Sequence, residues 1–410
     1  MSKTLGMILA GGEGTRLHPL TSARTKPAVP FGGNYRIIDF VLSNFVNSGI
    51  LSTFVLTQFK SHSLMKHLRQ GWRVSGVANA FIDPVPAQMR LGKRWYEGTA
   101  DAIYQNVHLI EEEESDTVTI FGGDHIYYMD IDQMIQFHKK KNAVLTVAAL
   151  KVPIHEAFHF GIIEVNENWQ MIGFQEKPKT DPKTIPGDPH HVLASMGNYI
   201  FNTDVLCREL EEDGKDESSS HDFGKDIIPK LYPKEGVYVY DFTQNNVPGM
   251  EEKNRGYWRD VGTLDTYWEA NMDLVSIDPV FNLYNRKWPL ITHRPPYPPA
   301  KFVYSSESRT GHGINSIIGS GSVLSGGLVE ESVLGHSVRV NSFAHVSQSV
   351  IMDNVLIERG ARVRKAIIDK DVIIGAGTII GEDLEKDRKR FPVTENGVVV
   401  IAKGSHVKKK

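Results

Sequence analysis

The chain has 410 residues, 40% of them hydrophobic and 23% charged, with a formal net charge of −3. That length exceeds one ordinary core and predicts two domains of a water-soluble globular protein. The near-neutral charge excludes a general nucleic-acid or membrane-surface binder, so a phosphate ligand must meet a local positive cluster.

Cys207 is the only cysteine, which rules out an intrachain disulfide and suits a reducing, cytoplasmic compartment. Its stretch, NTDVLCREL, reads as an amphipathic helix and makes it a buried structural thiol. No run approaches the ~20 apolar residues of a membrane span, and none at the start resembles a secretory signal.

Up to about residue 285, strands alternate with helices. GMILA at 6–10 is a strand. RIIDFVLSNFVNSG follows, with Ile38, Val41, Leu42 and Phe45 on one helical face and Gly49 placed to end it. STFVLTQF is a strand and HSLMKHLRQG a short helix. TADAIYQNVHLIEEEE reads as one helix with Thr99 as its N-cap and Ala100, Ile103, Val107 and Ile110 inward. DTVTIFGGD and AVLTVAALKV are further strands. This alternation predicts an α/β domain with a mainly parallel sheet, whose ligands gather at the carboxyl ends of the strands.

RPPYPPAKFV at 294–303 is a stiff connection. Beyond it the pattern changes. Small aliphatic residues recur every five or six positions, from Ile317 and Val323 through Val346 and Val363 to Val372, with Gly, Ser and Asn at the corners. That is the period of hexapeptide repeats, which wind into a parallel β-helix of about four or five coils of roughly 18 residues. The expected division is a catalytic domain at 1–285, a Pro-rich linker at 286–304, and a β-helix domain at 305–410. From Glu382 onward, EKDRKR and the final KKK read as a basic tail that suits an anionic effector.

The stretch MILAGGEGTRL opens the chemistry. It lacks the Lys-Ser/Thr pair of a P-loop, and Leu17 stands where a dinucleotide fingerprint needs a third small residue. What remains is a loop in which Gly11, Gly12 and Gly14 let backbone N–H groups approach an oxyanion. Arg16 adds a planar cationic fork, and Lys26 a compact charge beside the stiff Pro27. Asp124 ends an apolar strand in FGGD, and Asp260 sits in the comparable turn YWRDVGT. Mg²⁺ takes one or two protein carboxylates and leaves its other positions to water and phosphate, which suits this pair. Glu176 and Lys177 in FQEKP, Ser195 in ASMGNYIF, and Tyr96, Gly98 and Thr99 in WYEGTAD are polar groups suited to a sugar and a nucleoside.

Together these motifs resemble the nucleotidyltransferases that make nucleoside-diphosphate sugars. LAGGEGTRL is similar to their signature loop, FGGD to their metal-binding strand end, and EKP to their sugar-phosphate motif. Longer stretches narrow the likeness. KPAVPFGGNYRIIDFVLSN, VPAQMRLGKRWYEGTADAIYQN, SSSHDFGKDIIPKL, YWRDVGTLDTYWEANMDL and PPAKFV resemble the bacterial glucose-1-phosphate adenylyltransferases (ADP-glucose pyrophosphorylases).

The resemblance implies a Rossmann-like, GT-A type catalytic domain followed by a left-handed parallel β-helix. It implies transfer of adenylyl from ATP to α-D-glucose 1-phosphate, giving ADP-glucose and pyrophosphate for glycogen synthesis, in a homotetramer. Gly11, Gly12, Gly14 and Arg16 would then cradle the ATP phosphates, with Lys26 neutralising charge near them. Gln88, Gly98 and Thr99 would meet the adenine end. Tyr96, Gly161, Glu176, Lys177 and Ser195 would hold glucose 1-phosphate, and Asp124 and Asp260 Mg²⁺. Relatives that respond to fructose 1,6-bisphosphate often carry a Lys where this chain has Ala23. Arg24 and Arg36, with Lys370 and Lys403, remain for phosphorylated metabolite effectors, and a weak response to that bisphosphate is expected. The alternatives are a non-catalytic regulatory subunit, another base or sugar, and an acyltransferase on the β-helix using His336 or His345.

Overall fold

The computed structural model describes residues 3–74, 80–88, 90, 92, 94–306 and 309–409. Four predicted strands form at Thr4–Leu9, Ser52–Thr57, Thr117–Gly122 and Leu145–Pro153. Thr4–Leu9 lies between Thr117–Gly122 and Ser52–Thr57, parallel to both, and Phe81–Pro86 extends this parallel half. On the other side the twelve-residue strand His191–Asn202 runs antiparallel to Thr117–Gly122, Leu145–Pro153 and Gly161–Val165. The sheet of nine strands is therefore mixed, and its parallel half carries the glycine loop.

The helix Ile37–Asn47 ends at Ser48 and Gly49, whose φ of 79° provides the left-handed turn. Ile38, Val41, Leu42 and Phe45 are buried as expected, but so are Ile37 and Phe40 on the other side. A helix that is apolar all round must be covered all round. Here its second face packs with residues of the β-helix in one cluster that includes Leu17, Tyr267, Val350 and Ile367.

The predicted helix at 99–114 is two, Thr99–Tyr104 and Val107–Glu112. Asn106 breaks it: its side-chain amide donates to the carbonyl of Ala102 and to the Tyr96 hydroxyl, competing with the helical ladder. Gly98, not Thr99, occupies the N-cap position. Cys207 is half-buried rather than buried, and partial burial pushes its thiol pKa up.

The proline-rich connection is strapped down. Trp288 Nε1 donates to Asn44 Oδ1 at 3.2 Å, Ile291 N to Ser43 Oγ at 2.9 Å, and Thr292 Oγ1 to Asp39 Oδ2 at 2.6 Å. Asp39 is fully buried and also accepts from Trp72 Nε1 and contacts His67 Nε2.

The β-helix starts at Lys301–Val303, which pairs in parallel with Val323–Ser325. Three parallel sheets of six, five and five strands form its faces. Val333, Val350 and Ile367 stack in register, and hydrogen bonds recur between residues 17 apart. A serine column caps the coils: Ser332, Ser349 and Ala366 each donate a backbone N–H to the serine hydroxyl one coil earlier.

The expected basic tail is corrected. Residues 382–398 are an excursion carrying the short helix Leu384–Arg388, after which Val399–Ile401 and His406–Val407 rejoin the stack as its last rung. The buried aliphatics Val399, Val400 and Ile401 drive that return.

Candidate active site

A cleft of about 560 Å³ opens at the carboxyl end of the parallel strands. Gly11, Gly12, Gly14, Arg16, Lys26, Thr99, Asp124, Gly161, Glu176 and Ser195 all line it. These ten predicted residues come from seven separate segments, so the fold alone brings them together.

The glycine loop leaves the first strand at Leu9 and reaches a 3-10 turn at Thr15–Leu17 through Gly14, whose φ is 66°. Thr25 Oγ1 lies 3.2 Å and 3.3 Å from the carbonyls of Ala10 and Gly12, and Thr21 Oγ1 donates to that of Gly14 at 2.9 Å. Carbonyls are thus held inward. Among the described residues, nothing accepts a hydrogen bond from the N–H groups of Gly11 through Arg16. A run of free amides at a loop of this kind is a nest for an anion. Thr21 and Thr25 went unnoticed in the sequence; their only signal is the threonine spacing in TSARTK.

Lys26 is the electrostatic centre. Its ammonium lies 2.9 Å from Asp124 Oδ2 and 2.7 Å from Asp260 Oδ1, and its side chain is 8% exposed. Burial opposes its charge, but the two carboxylates outweigh burial and hold its pKa above the ordinary lysine value. Burial likewise works against the Asp124 carboxylate, yet His125, Lys26 and Arg16 hold it well below the usual carboxyl range. Arg16 is mostly exposed, with Nη2 3.8 Å from Asp260 Oδ2. Asp260 itself lines a neighbouring cavity of about 430 Å³ together with Arg16 and Trp258.

His125 was missed. Asp124, His125 and Asp260 each offer one ligand atom, and these atoms lie within 4.8 Å of one another. The pairing of Trp258–Asp260 with His125–Tyr127 sets that geometry. The donor set is hard oxygen plus one imidazole, and it already accommodates a cation in the form of the Lys26 ammonium. The site therefore fits a divalent metal.

The opposite wall is made by a β-bulge. The register of His191–Asn202 against Leu145–Pro153 shifts between Ser195 and Tyr199, turning Ser195, Met196 and Gly197 toward the cleft. Glu176 ends the strand Met171–Glu176, and Gly161 faces it; a Cβ at Gly161 would lie 2.6 Å from the Phe174 ring. Thr99 Oγ1 donates to Asp222 Oδ2 at 3.0 Å and accepts from Phe223 N, joining two walls. Asp222 also lines the cleft and was not anticipated.

Besides Asp260, four expected residues do not line it. The Tyr96 hydroxyl accepts from Asn106, and its backbone is bound to Gln58. Gln88 is exposed, beside residues outside the described set. Gly98 is spent on packing, since a Cβ there would lie 2.1 Å from the carbonyl oxygen of His221. Lys177 is exposed at the rim with a φ of 46°, its Nζ 3.6 Å from Glu176 Oε1.

The four expected effector residues divide. Arg36 and Lys370 line one cavity of about 70 Å³ between the domains, with His67, His293 and His336. Arg24 is buried in an ion pair with Asp369, and exposed Lys403 lies 3.7 Å from Asp371. On the β-helix, His345 Nε2 is 2.6 Å from Glu330, and the His336 ring lies 5.3 Å from that of Tyr297.

An open α/β sheet with a glycine-loop anion nest beside a lysine–dicarboxylate cluster defines a nucleotidyl transferase. The nucleotidyl transferase family model matches residues 5–276, and the C-terminal hexapeptide model of GlmU-like proteins matches residues 298–401. The chain is 59% identical to a glucose-1-phosphate adenylyltransferase of Photobacterium profundum over 99% of this chain and 100% of that one. It is 56% identical to glucose-1-phosphate adenylyltransferase 1 of Vibrio vulnificus, with the same coverage. A glucose-1-phosphate adenylyltransferase of an Anaeromyxobacter species is 55% identical, again over 99% and 100%. The chain belongs to the glucose-1-phosphate adenylyltransferase family. Among the described residues no helix is long and apolar enough to cross a membrane.

Proposed function

We propose that the protein transfers adenylyl from ATP to α-D-glucose 1-phosphate, giving ADP-glucose and pyrophosphate for glycogen synthesis. One observation carries this reading: the free amides of Gly11–Arg16 open onto one cleft with Lys26 and Asp124, and Lys26 ties that cleft to Asp260. The relatives carry the choice of adenine and glucose through their names.

The sugar phosphate is already a nucleophile, so no protein base is required. Its phosphate oxygen bonds to the α-phosphorus of ATP, the bond from that phosphorus to the bridging oxygen breaks, and pyrophosphate leaves. Positioning and charge stabilisation supply the catalysis. The amides of Gly11, Gly12 and Gly14 with Arg16 hold the β and γ phosphates, and Lys26 meets charge at the reacting phosphate. Gln88, Gly98 and Thr99 serve the adenine end, Gly98 and Thr99 by shaping its wall. Glu176, Lys177 and Ser195 hold glucose 1-phosphate, with Tyr96 and Gly161 behind them. Asp124 and Asp260 would hold Mg²⁺, which would supply neutralising charge to the anionic reactants.

Regulation by phosphorylated metabolites belongs to the cavity of Arg36 and Lys370, whose cations face one space between the domains. Arg24 and Lys403 then act around it rather than in it. A cytoplasmic homotetramer completes the reading, on the family resemblance and the lone half-buried thiol.

Pyrophosphate release from four nucleoside triphosphates, each with three sugar 1-phosphates, tests the activity. ATP with glucose 1-phosphate should be the fastest pair. Faster turnover of another pair overturns the specificity, and no turnover of any pair overturns the catalytic reading in favour of a regulatory subunit.

A further inference from the structure

Lys26 bonds one oxygen of each of the two carboxylates read above as metal ligands. Its Nζ makes two charge-assisted bonds, 2.9 Å to Asp124 and 2.7 Å to Asp260. Its stem is fixed at the start of the turn Lys26–Ala28, which carries Pro27 at its second position. A Mg²⁺ ion bonds carboxylate oxygen at about 2.0–2.1 Å, well inside these distances. An ammonium and a divalent ion cannot both occupy the space between the same two oxygens.

The consequences for a bare ion and for a nucleotide-bound ion differ. A bare divalent ion would have to expel a buried ammonium from two carboxylates with no anion to receive it. A polyphosphate in the adjoining cleft changes that balance. Lys26 lines the cleft together with Gly11, Gly12 and Gly14, so the ammonium has phosphate oxygens within reach once it leaves the carboxylates. We propose that Lys26 is a resident counter-ion that keeps the metal site closed in the nucleotide-free protein and exchanges its carboxylate partners for the triphosphate when metal and nucleotide enter together. Lys26 thereby couples the two binding events. Metal raises nucleotide affinity and nucleotide raises metal affinity by the same factor. The ammonium also cancels the repulsion between two carboxylates that would otherwise make the empty site greedy for any divalent ion.

This inference rests on the reading of Asp124 and Asp260 as metal ligands, and the experiment separates the two. Mn²⁺ is the probe, with the free ion counted by electron paramagnetic resonance on the full chain, with and without ATP and without sugar phosphate. The wild-type chain should bind Mn²⁺ weakly until ATP is added. Lys26→Met should bind Mn²⁺ alone more tightly by about 5–150-fold, the usual span of a coupling between two bound groups, and should lose most of the gain from ATP. Lys26→Gln, which keeps a polar end and removes the charge, should do the same and carries the test if the methionine variant misfolds by circular dichroism. Folded variants that bind Mn²⁺ no more tightly than wild type overturn the role of Lys26. Asp124→Asn added to Lys26→Met should abolish the tight site. If it does not, the carboxylates are not the ligands, and the underlying reading fails instead.

Discussion

Arg24 of the catalytic domain and Asp369 of the β-helix form an ion pair of 2.9 Å with side chains only 4% and 1% exposed. The same guanidinium nitrogen lies 4.0 Å from Met352 Sδ, and Lys370 N donates to the same carboxylate oxygen. Removing one partner of such a pair leaves a buried charge alone, which costs about 3–5 kcal/mol. Arg24→Ala should therefore lower the unfolding free energy obtained from urea titration by that amount, before any effector is added. A variant that keeps wild-type stability would return Arg24 to the role of an effector ligand.

Gly98 and His221 set the width of the wall proposed for the nucleotide. A Cβ at Gly98 would lie 2.1 Å from one backbone oxygen and 2.5 Å from the next, at His221 and Ser220. Backbone cannot yield as a side-chain tip can. Gly98→Ala should push the 218–226 segment away, break the bond from Thr99 to Asp222, and raise KM for ATP at least about tenfold, the effect of losing roughly 1.4 kcal/mol of binding. Thermal melting should fall as well. Unchanged ATP kinetics would mean that the wall does not touch the nucleotide.

Much of this was legible in the chain because it rests on local signals. Apolar strands ending in glycine placed Asp124 and the loop, and the five-to-six spacing of valines gave the β-helix. What escaped depends on distant partners. The bulge at Ser195 exists only because Leu145–Pro153 lies alongside, and His125 joins Asp260 only through a two-strand pairing. The tail was misread since a charged run hid Val399, Val400 and Ile401, whose burial depends on rungs laid down much earlier. The family likeness points Lys26 at phosphate, while its carboxylate partners lie 98 and 234 residues away.

His138 provides an acid-sensitive point away from the cleft. It is 2% exposed, with Nδ1 2.8 Å from Thr146 Oγ1 and Nε2 3.1 Å from Asn202 Oδ1. Burial pushes its pKa down, against the bond to Asn202. The unfolded chain takes up the proton near pH 6.5, where the folded chain does not yet bind it. Protons then favour the unfolded state, so the stabilising contribution present above pH 6.5 is lost as pH falls through the folded pKa. Urea midpoints between pH 5 and pH 8 should decline on the acid side, and His138→Gln should flatten that decline. Equal slopes in both proteins would remove His138 as a cause.

Gly12 separates the demands of the fold from those of the ligand. A Cβ built there meets no protein atom within 4 Å, and the residue is exposed at the mouth of the cleft. Gly14, by contrast, needs its φ of 66°. Gly12→Ala should leave stability within about 0.5 kcal/mol of wild type, as a surface change does. The methyl group would stand in the space where a phosphate must approach the amides of Gly11–Arg16. KM for ATP should rise, while the melting temperature and KM for glucose 1-phosphate stay near their original values. If Gly12→Ala instead binds ATP normally, the free amides face something other than the triphosphate, and the assignment of the loop is lost even though the fold stands.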